Sequence, residues 1–145
     1  MLKKVGCTNV IITNNPDEIE QADKLILPGV GAFDQGMQCL ADSGLIPTLN
    51  KVVLHDKKPV LGICLGAQLM TKSSEEGVLP GLGWFDAEVK KFNLDDKKLK
   101  IPHMGWNEVH AEKSHLTIND LEKPTRFYFV HSYYMQANNA NDVLL

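Results

Sequence analysis

The stretch Lys58-Pro59-Val60-Leu61-Gly62-Ile63-Cys64-Leu65-Gly66-Ala67-Gln68-Leu69-Met70 sets a cysteine between two glycines where an apolar strand gives way to a helix. This spacing constrains the fold more than any other part of the chain. A helix can double back onto its strand so sharply only if the flanking residues carry no side chains to clash, and the central residue must accept a strained backbone. The stretch therefore reads as a nucleophile elbow. Partial positive charge at the start of the following helix stabilises a thiolate, the attacking species, which makes Cys64 a candidate for covalent acyl transfer. Gly-x-Cys-x-Gly alone leaves a second reading open, a small buried hydrophobe in a parallel strand.

The elbow needs a sheet to stand on. With 145 residues, 43% of them hydrophobic, the chain has the apolar mass for one globular domain or most of one. A net charge of −3 with interspersed signs leaves no footprint for nucleic acid or an anionic membrane. No apolar run reaches the roughly 18 residues of a membrane span, and the opening Met1-Leu2-Lys3-Lys4-Val5 lacks a secretory apolar core. The cysteines Cys7, Cys39 and Cys64 are odd in number and unpatterned in spacing, which fits a reducing cytoplasm.

Met1 to Gly6 reads as the end of a helix closed by glycine, and Asn9 to Thr13 as a β-branched strand. Asn14-Asn15-Pro16-Asp17-Glu18 caps a short helix reaching Ala22, and Lys24 to Leu27 is a second buried strand ended by Pro28-Gly29-Val30-Gly31. From Ala32 to about Leu54 the spacing of Phe33, Met37, Leu40, Leu45, Leu49 and Val53 predicts one or two helices, broken near Ser43-Gly44 and Pro47. The elbow strand follows. Beyond Gly81, Ala87 to Phe92, Trp106 to His110 and Arg126 to His131 read as strands, the first two around a charged turn, and Asp142 to Leu145 as the opening of another. Alternating strands and helices predict an α/β fold, a mostly parallel sheet flanked by helices with an antiparallel extension. Ligands of such sheets sit at the carboxyl ends of the strands, where both glycine turns fall.

A thiolate attacking an amide needs donors for the developing oxyanion. Gly29-Val30-Gly31 supplies peptide N–H groups that could point there, and the Leu65 N–H, next after the nucleophile, is a second source. A plain strand-ending turn is the alternative for the same glycines. Gln68 lies one helical turn past Cys64 on the same face, within reach of a substrate held over the thiol or simply facing solvent.

Taken together, these segments resemble the class I glutamine amidotransferases, with their flavodoxin-like sheet. Within that family they are most similar to the glutaminase subunits of imidazole glycerol phosphate synthases. The resemblance is carried by Lys24-Leu25-Ile26-Leu27-Pro28-Gly29-Val30-Gly31-Ala32-Phe33, by the elbow, by Ser74-Glu75-Glu76, by Pro102-His103-Met104-Gly105-Trp106-Asn107 and by Phe129-Val130-His131-Ser132-Tyr133, in that order. It covers nearly the whole chain, as a single but incomplete domain over residues 1–145.

The resemblance implies Cys64 as nucleophile and backbone amides around Val30, Gly31 and at Leu65 as oxyanion donors. Glutamine would lie along Gly29, Gln68, Glu76, Ser132 and Tyr133, its ammonium on Glu76 and its carboxylate on backbone N–H groups near Ser132 and Tyr133. Released ammonia would pass to a cyclase subunit, a β/α barrel, in histidine biosynthesis. Met104, Trp106 and Asn107, on the loop after Pro102, would lie near that interface, whereas Trp106 taken alone reads as ordinary core. Lys90, Lys91, Lys97, Lys98 and Lys100 read as a solvated hairpin that could also assist docking. No metal or organic cofactor is implied.

The triad that completes such a site pairs a histidine with a glutamate two residues on, near the family's C-terminus, and this chain reads as lacking any such His-x-Glu pair. His103 and His131 belong to other motifs, and His55, His110 and His115 match nothing catalytic. The family's first strand and its last segment are also absent, so both ends read as unfinished. Alternatives at this point are a paralogous amidotransferase serving another acceptor, a catalytically silent binding subunit, and a stand-alone cysteine hydrolase.

Overall fold

A computed structural model describes residues 2–94, 99–118 and 125–145. Lys97 and Lys98 of the charged turn therefore lie outside the described residues. Leu2–Val5 form a single 3-10 turn closed by Gly6 at φ +89°, so the glycine ends the segment as its position predicts. Helix α1 (Pro16–Gln21) starts where Asn15 Oδ1 accepts the Asp17 N–H, with Pro16 in the first turn. Strand β1 (Leu25–Gly29) leads through the glycine turn into α2 (Phe33–Asp42). The break at Ser43-Gly44 falls as expected, and α3 (Ile46–Asn50) then continues as a π-helical stretch, Lys51–His55.

Strand β2 (Val60–Cys64) pairs in parallel with β1 and runs straight into α4 (Leu65–Leu69). A two-residue strand β3 (Ser73–Ser74) pairs in parallel with β4 (Ala87–Lys91), which pairs antiparallel with β7 (Tyr133–Ala137). Between them β5 (His103–Val109) and β6 (Thr125–His131) form an antiparallel ribbon. The α/β class stands, with the strands in three sheets of order β1-β2, β3-β4-β7 and β5-β6.

Three expectations need correction. Asn9 to Thr13 form no strand and are largely exposed: β1 pairs only with β2 among the described strands, and Val10, Ile11 and Ile12 join no sheet. Residues 140–142 form a 3-10 turn rather than entering a strand, and beyond it the Leu144 carbonyl accepts the Glu112 N–H. Trp106 sits within β5, which begins at His103, instead of on a loop.

Two apolar clusters hold the helices in place. Phe33 and Met37 of α2 pack on Leu65 and Leu69 of α4, with Leu79 and Leu82 against them, so the helix after the glycine turn is fixed to the helix after the cysteine. Ile19, Leu49 and Val52 form the second cluster with Leu25, Leu40, Leu45, Val53 and Trp84, whose Nε1–H donates to Asn50 Oδ1 at 2.7 Å.

Candidate active site

The turn at Cys64 has the strained geometry its sequence predicts. Cys64 adopts φ 53° and ψ −123°, a region that costs a non-glycine residue about 1–3 kcal/mol and persists only where the surroundings impose it. The surroundings are three glycines. A Cβ on Gly62 would stand 2.4 Å from Ala67 Cα, one on Gly66 1.8 Å from the Leu27 carbonyl oxygen, and one on Gly29 2.8 Å from the Gly66 nitrogen. Their absence lets α4 lie directly on β1 and β2. Cys64 is exposed, which excludes the reading as a buried hydrophobe.

Parallel pairing places Gly29 beside Cys64, so the Gly29-Val30-Gly31 turn leaves β1 next to the thiol. Gly31 stands at φ +101°, a conformation glycine takes at little cost. Val30 is exposed and the turn is open to solvent. Leu65 opens α4, where the first N–H groups of a helix have no intrahelical partner. Gln68 is half-buried on the same short helix. An open cavity of about 390 Å³ beside the turn is lined by Gly29, Val30 and Leu65 together with Gly36, Cys39 and Leu69.

Glu76 does more than face solvent. Its Oε2 accepts the Phe33 N–H at 2.9 Å, capping α2, whose N-cap residue Ala32 makes no side-chain bond. Its second oxygen remains as an acceptor beside the turn. Asp34, one residue on, accepts the N–H groups of Val78 and Leu79. Sequence reading had no local signal for Asp34, because its partners lie 44 and 45 positions away.

Ser132 separates β6 from β7, and Tyr133 opens β7 opposite Lys91. The Lys91 N–H donates to Glu75 Oε2 at 2.8 Å, so Tyr133 and the Glu75-Glu76 segment share one end of their sheet with β4 between them. Two strand spacings, about 10 Å, separate them. The Glu75 carboxyl is held below its ordinary range, chiefly by that Lys91 N–H and also by Lys90. The turn at Ser132 is braced by histidines: His131 Nδ1 lies 2.8 Å from the Tyr133 carbonyl oxygen, and His131 Nε2 lies 2.9 Å from His103 Nδ1. Since a carbonyl only accepts, His131 carries its proton on Nδ1 and, when neutral, takes the His103 N–H on Nε2.

Met104 and Trp106 share one face of β5 with Glu108, and their partners Val130 and Tyr128 share that face of β6. Trp106 is 63% exposed, which excludes its reading as ordinary core. Its ring meets Tyr128 edge-on at 5.8 Å. Asn107 falls on the opposite face, with Oδ1 accepting the Glu108 N–H.

A His-x-Glu spacing does stand in the sequence, at His110-Ala111-Glu112, although not in the family's place. It follows the Val109 end of the ribbon, roughly 20 Å along the strand from the His103 end that adjoins Ser132. Among the described residues no histidine hydrogen-bonds to Cys64, and no three metal-ligating side chains converge. No helix of these residues is long and apolar enough to cross a membrane.

The family model for glutamine amidotransferase class-I matches residues 1–144, and the chain belongs to that family. Among its relatives, the imidazole glycerol phosphate synthase subunit HisH 2 of Pseudomonas aeruginosa is 49% identical over the whole chain, which spans 71% of that protein. HisH 2 of Methanococcus maripaludis is 51% identical over the same span and share. The HisH subunit of Leptospira interrogans is 44% identical over 99% of the chain and 71% of its own length.

Proposed function

We propose that this chain is the glutaminase subunit of an imidazole glycerol phosphate synthase, hydrolysing glutamine at Cys64 and passing ammonia to a cyclase subunit. The observation that carries the mechanism is the register of β1 on β2, which sets Gly29 beside Cys64 and so puts an amide-bearing turn next to the nucleophile. The Cys64 thiolate attacks the side-chain amide carbon of glutamine. N–H groups of the Val30-Gly31 turn and of Leu65 receive the oxyanion. As the C–N bond breaks, the departing nitrogen takes up the proton lost by the thiol and leaves as ammonia, and water cleaves the remaining glutamyl thioester to glutamate and free thiol. Glutamine's ammonium meets the free oxygen of Glu76, its carboxylate meets N–H groups near Ser132 and Tyr133, and Gly29 and Gln68 border its side chain.

The proton shuttle of this chemistry needs a base at the thiol, and neither His110-Glu112 nor the His103–His131 pair is hydrogen-bonded to it. The exposed face of Met104, Trp106, Tyr128 and Val130 is the docking surface for the cyclase, its composition that of an interface core. All three cysteines are free, which fits a cytoplasmic setting.

The test is ammonia release from glutamine by the full chain, with and without the cyclase and its ribotide ligand, and with Cys64→Ala as control. Release that requires Cys64 and rises with the cyclase is expected. Release that persists in Cys64→Ala, or none with the cyclase present, would overturn the reading.

A further inference from the structure

The start of α2 and the loop after β3 exchange hydrogen bonds in both directions. The Phe33 N–H on α2 donates to Glu76 on the loop at 2.9 Å. In return, the Val78 N–H donates to both carboxylate oxygens of Asp34 and the Leu79 N–H to Oδ1, all at 3.0 Å. The chain between passes so near that a Cβ on Gly77 would stand 2.0 Å from Asp34 Oδ1. Asp34 is half-buried, and its charge sits in the first turn of a ten-residue helix, where the helix field favours it.

We propose that Asp34 is a positioning residue for substrate binding: by seating Val78 and Leu79 on α2, it holds Glu76 where the free carboxylate oxygen meets the α-ammonium of glutamine. This rests on the reading of Glu76 given above. An exposed glutamate on a free loop would lose much of its attraction for an ammonium to the entropy of ordering loop and side chain. Here the ordering precedes binding. The Glu76 N–H is held by Ser74 Oγ at 3.1 Å, its carboxylate by Phe33, and the chain beyond it by Asp34. Leu79 also packs on the cluster of Phe33, Met37, Leu65 and Leu69, so loss of Asp34 loosens the loop without detaching it. The cost should therefore fall on recognition of the ammonium, with less effect on the fold.

The experiment compares glutamine with 4-carbamoylbutanoate, the same amide without the α-amino group, in the full chain assembled with its cyclase. Asp34→Asn keeps the volume but removes the charge and puts an NH2 group in place of one carboxylate oxygen, against the Val78 N–H. It should raise the KM for glutamine about tenfold, the scale of a lost charged hydrogen bond, with a smaller change in kcat. The kcat/KM for the deaminated analogue should stay at the wild-type value, so the preference for glutamine collapses. Glu76→Gln should show the same collapse, and the double variant should be no worse than Glu76→Gln alone. Val78→Pro, which removes one donated N–H at an exposed position, should give a smaller change of the same kind and covers the case in which Asp34→Asn fails to fold.

Equal losses for both substrates in Asp34→Asn would reduce Asp34 to a structural residue and overturn the proposal, as would an unchanged KM. If Glu76→Gln keeps the preference for glutamine, the reading of Glu76 fails and the proposal falls with it. If only the Asp34 and Val78 variants keep that preference, the reading of Glu76 stands and the role of Asp34 fails alone.

Discussion

Gly66 rests on the carbonyl of Leu27 so closely that a methyl group on its Cα would stand 1.8 Å from the oxygen. The obstacle is backbone in β1, which cannot swing aside as a side chain would. Intrinsic helix propensity favours alanine over glycine in α4 by about 1 kcal/mol, but overpacking against a strand costs more. Gly66→Ala should destabilise the protein by about 3 kcal/mol in urea unfolding. Gly44→Ala, at φ +70° with nothing within 4 Å, should cost only about 1 kcal/mol of backbone strain. Equal costs at the two glycines would show that α4 does not lie on β1 as described.

The strain at Cys64 makes a second difference measurable. Cys64→Ala removes the thiol but keeps a Cβ at φ 53°, whereas Cys64→Gly removes both thiol and strain. Both variants should lose ammonia release. Cys64→Gly should nonetheless unfold at higher urea than Cys64→Ala, by about 1 kcal/mol, because relief of the strain outweighs the added freedom of glycine in the unfolded chain. The opposite order would mean that the turn holds its shape without strain.

Much of the elbow was legible because steric exclusion writes itself into local spacing: Gly62 and Gly66 flank the cysteine, and each meets backbone of an adjoining element. The turn at Gly31 and the break at Ser43-Gly44 were readable for the same reason, a residue type forced by backbone geometry, although β1 runs on through Pro28 and Gly29 instead of ending at Leu27. What stayed hidden depends on partners far along the chain. Asn9 to Thr13 carry strand-forming residues, yet a strand also needs a partner along the ladder, and these residues pair with none of the described strands. Tyr133, Tyr134 and Met135 suit a strand, yet β7 is not marked in the sequence as one, since its formation rests on the register with β4. The exchange between Glu76 and Phe33 spans 43 positions and leaves no periodicity to read.

Asp86 gives the sheet β3-β4-β7 an acid limit. Its carboxyl is held below the ordinary aspartate range, first by the Lys72 ammonium at 2.5 Å, then by the Asn138 amide at 2.6 Å, against a smaller opposing effect of burial. A depressed folded-state value means that the native state prefers the ionised form. The stabilisation is therefore complete above the unfolded aspartate range, near pH 4, and fades as pH falls through the lower native value. Asp86→Asn should flatten the dependence of the unfolding midpoint on pH below about pH 5, and added salt should shrink the difference because both partners are solvent-exposed. An unchanged acid limb in thermal unfolding across that range would remove Asp86 from the account.

The exposed aromatic face of the β5–β6 ribbon separates binding from folding. Trp106 and Tyr128 touch edge-on at 5.8 Å while both remain largely exposed, so a ring that contributes little to the core is already ordered for a partner. Preorganised aromatic rings lose little freedom on docking and form the residues whose truncation costs most. If the cyclase docks on this face as proposed, Trp106→Ala should weaken its binding by about 2 kcal/mol, some thirtyfold in Kd by titration calorimetry, and leave the unfolding midpoint of the free chain almost unchanged. Asn107→Ala, on the opposite face of the strand, should change affinity far less. If Asn107→Ala weakened the complex while Trp106→Ala did not, the cyclase would dock on the other face of the ribbon, and the patch of Met104, Trp106, Tyr128 and Val130 would have another role.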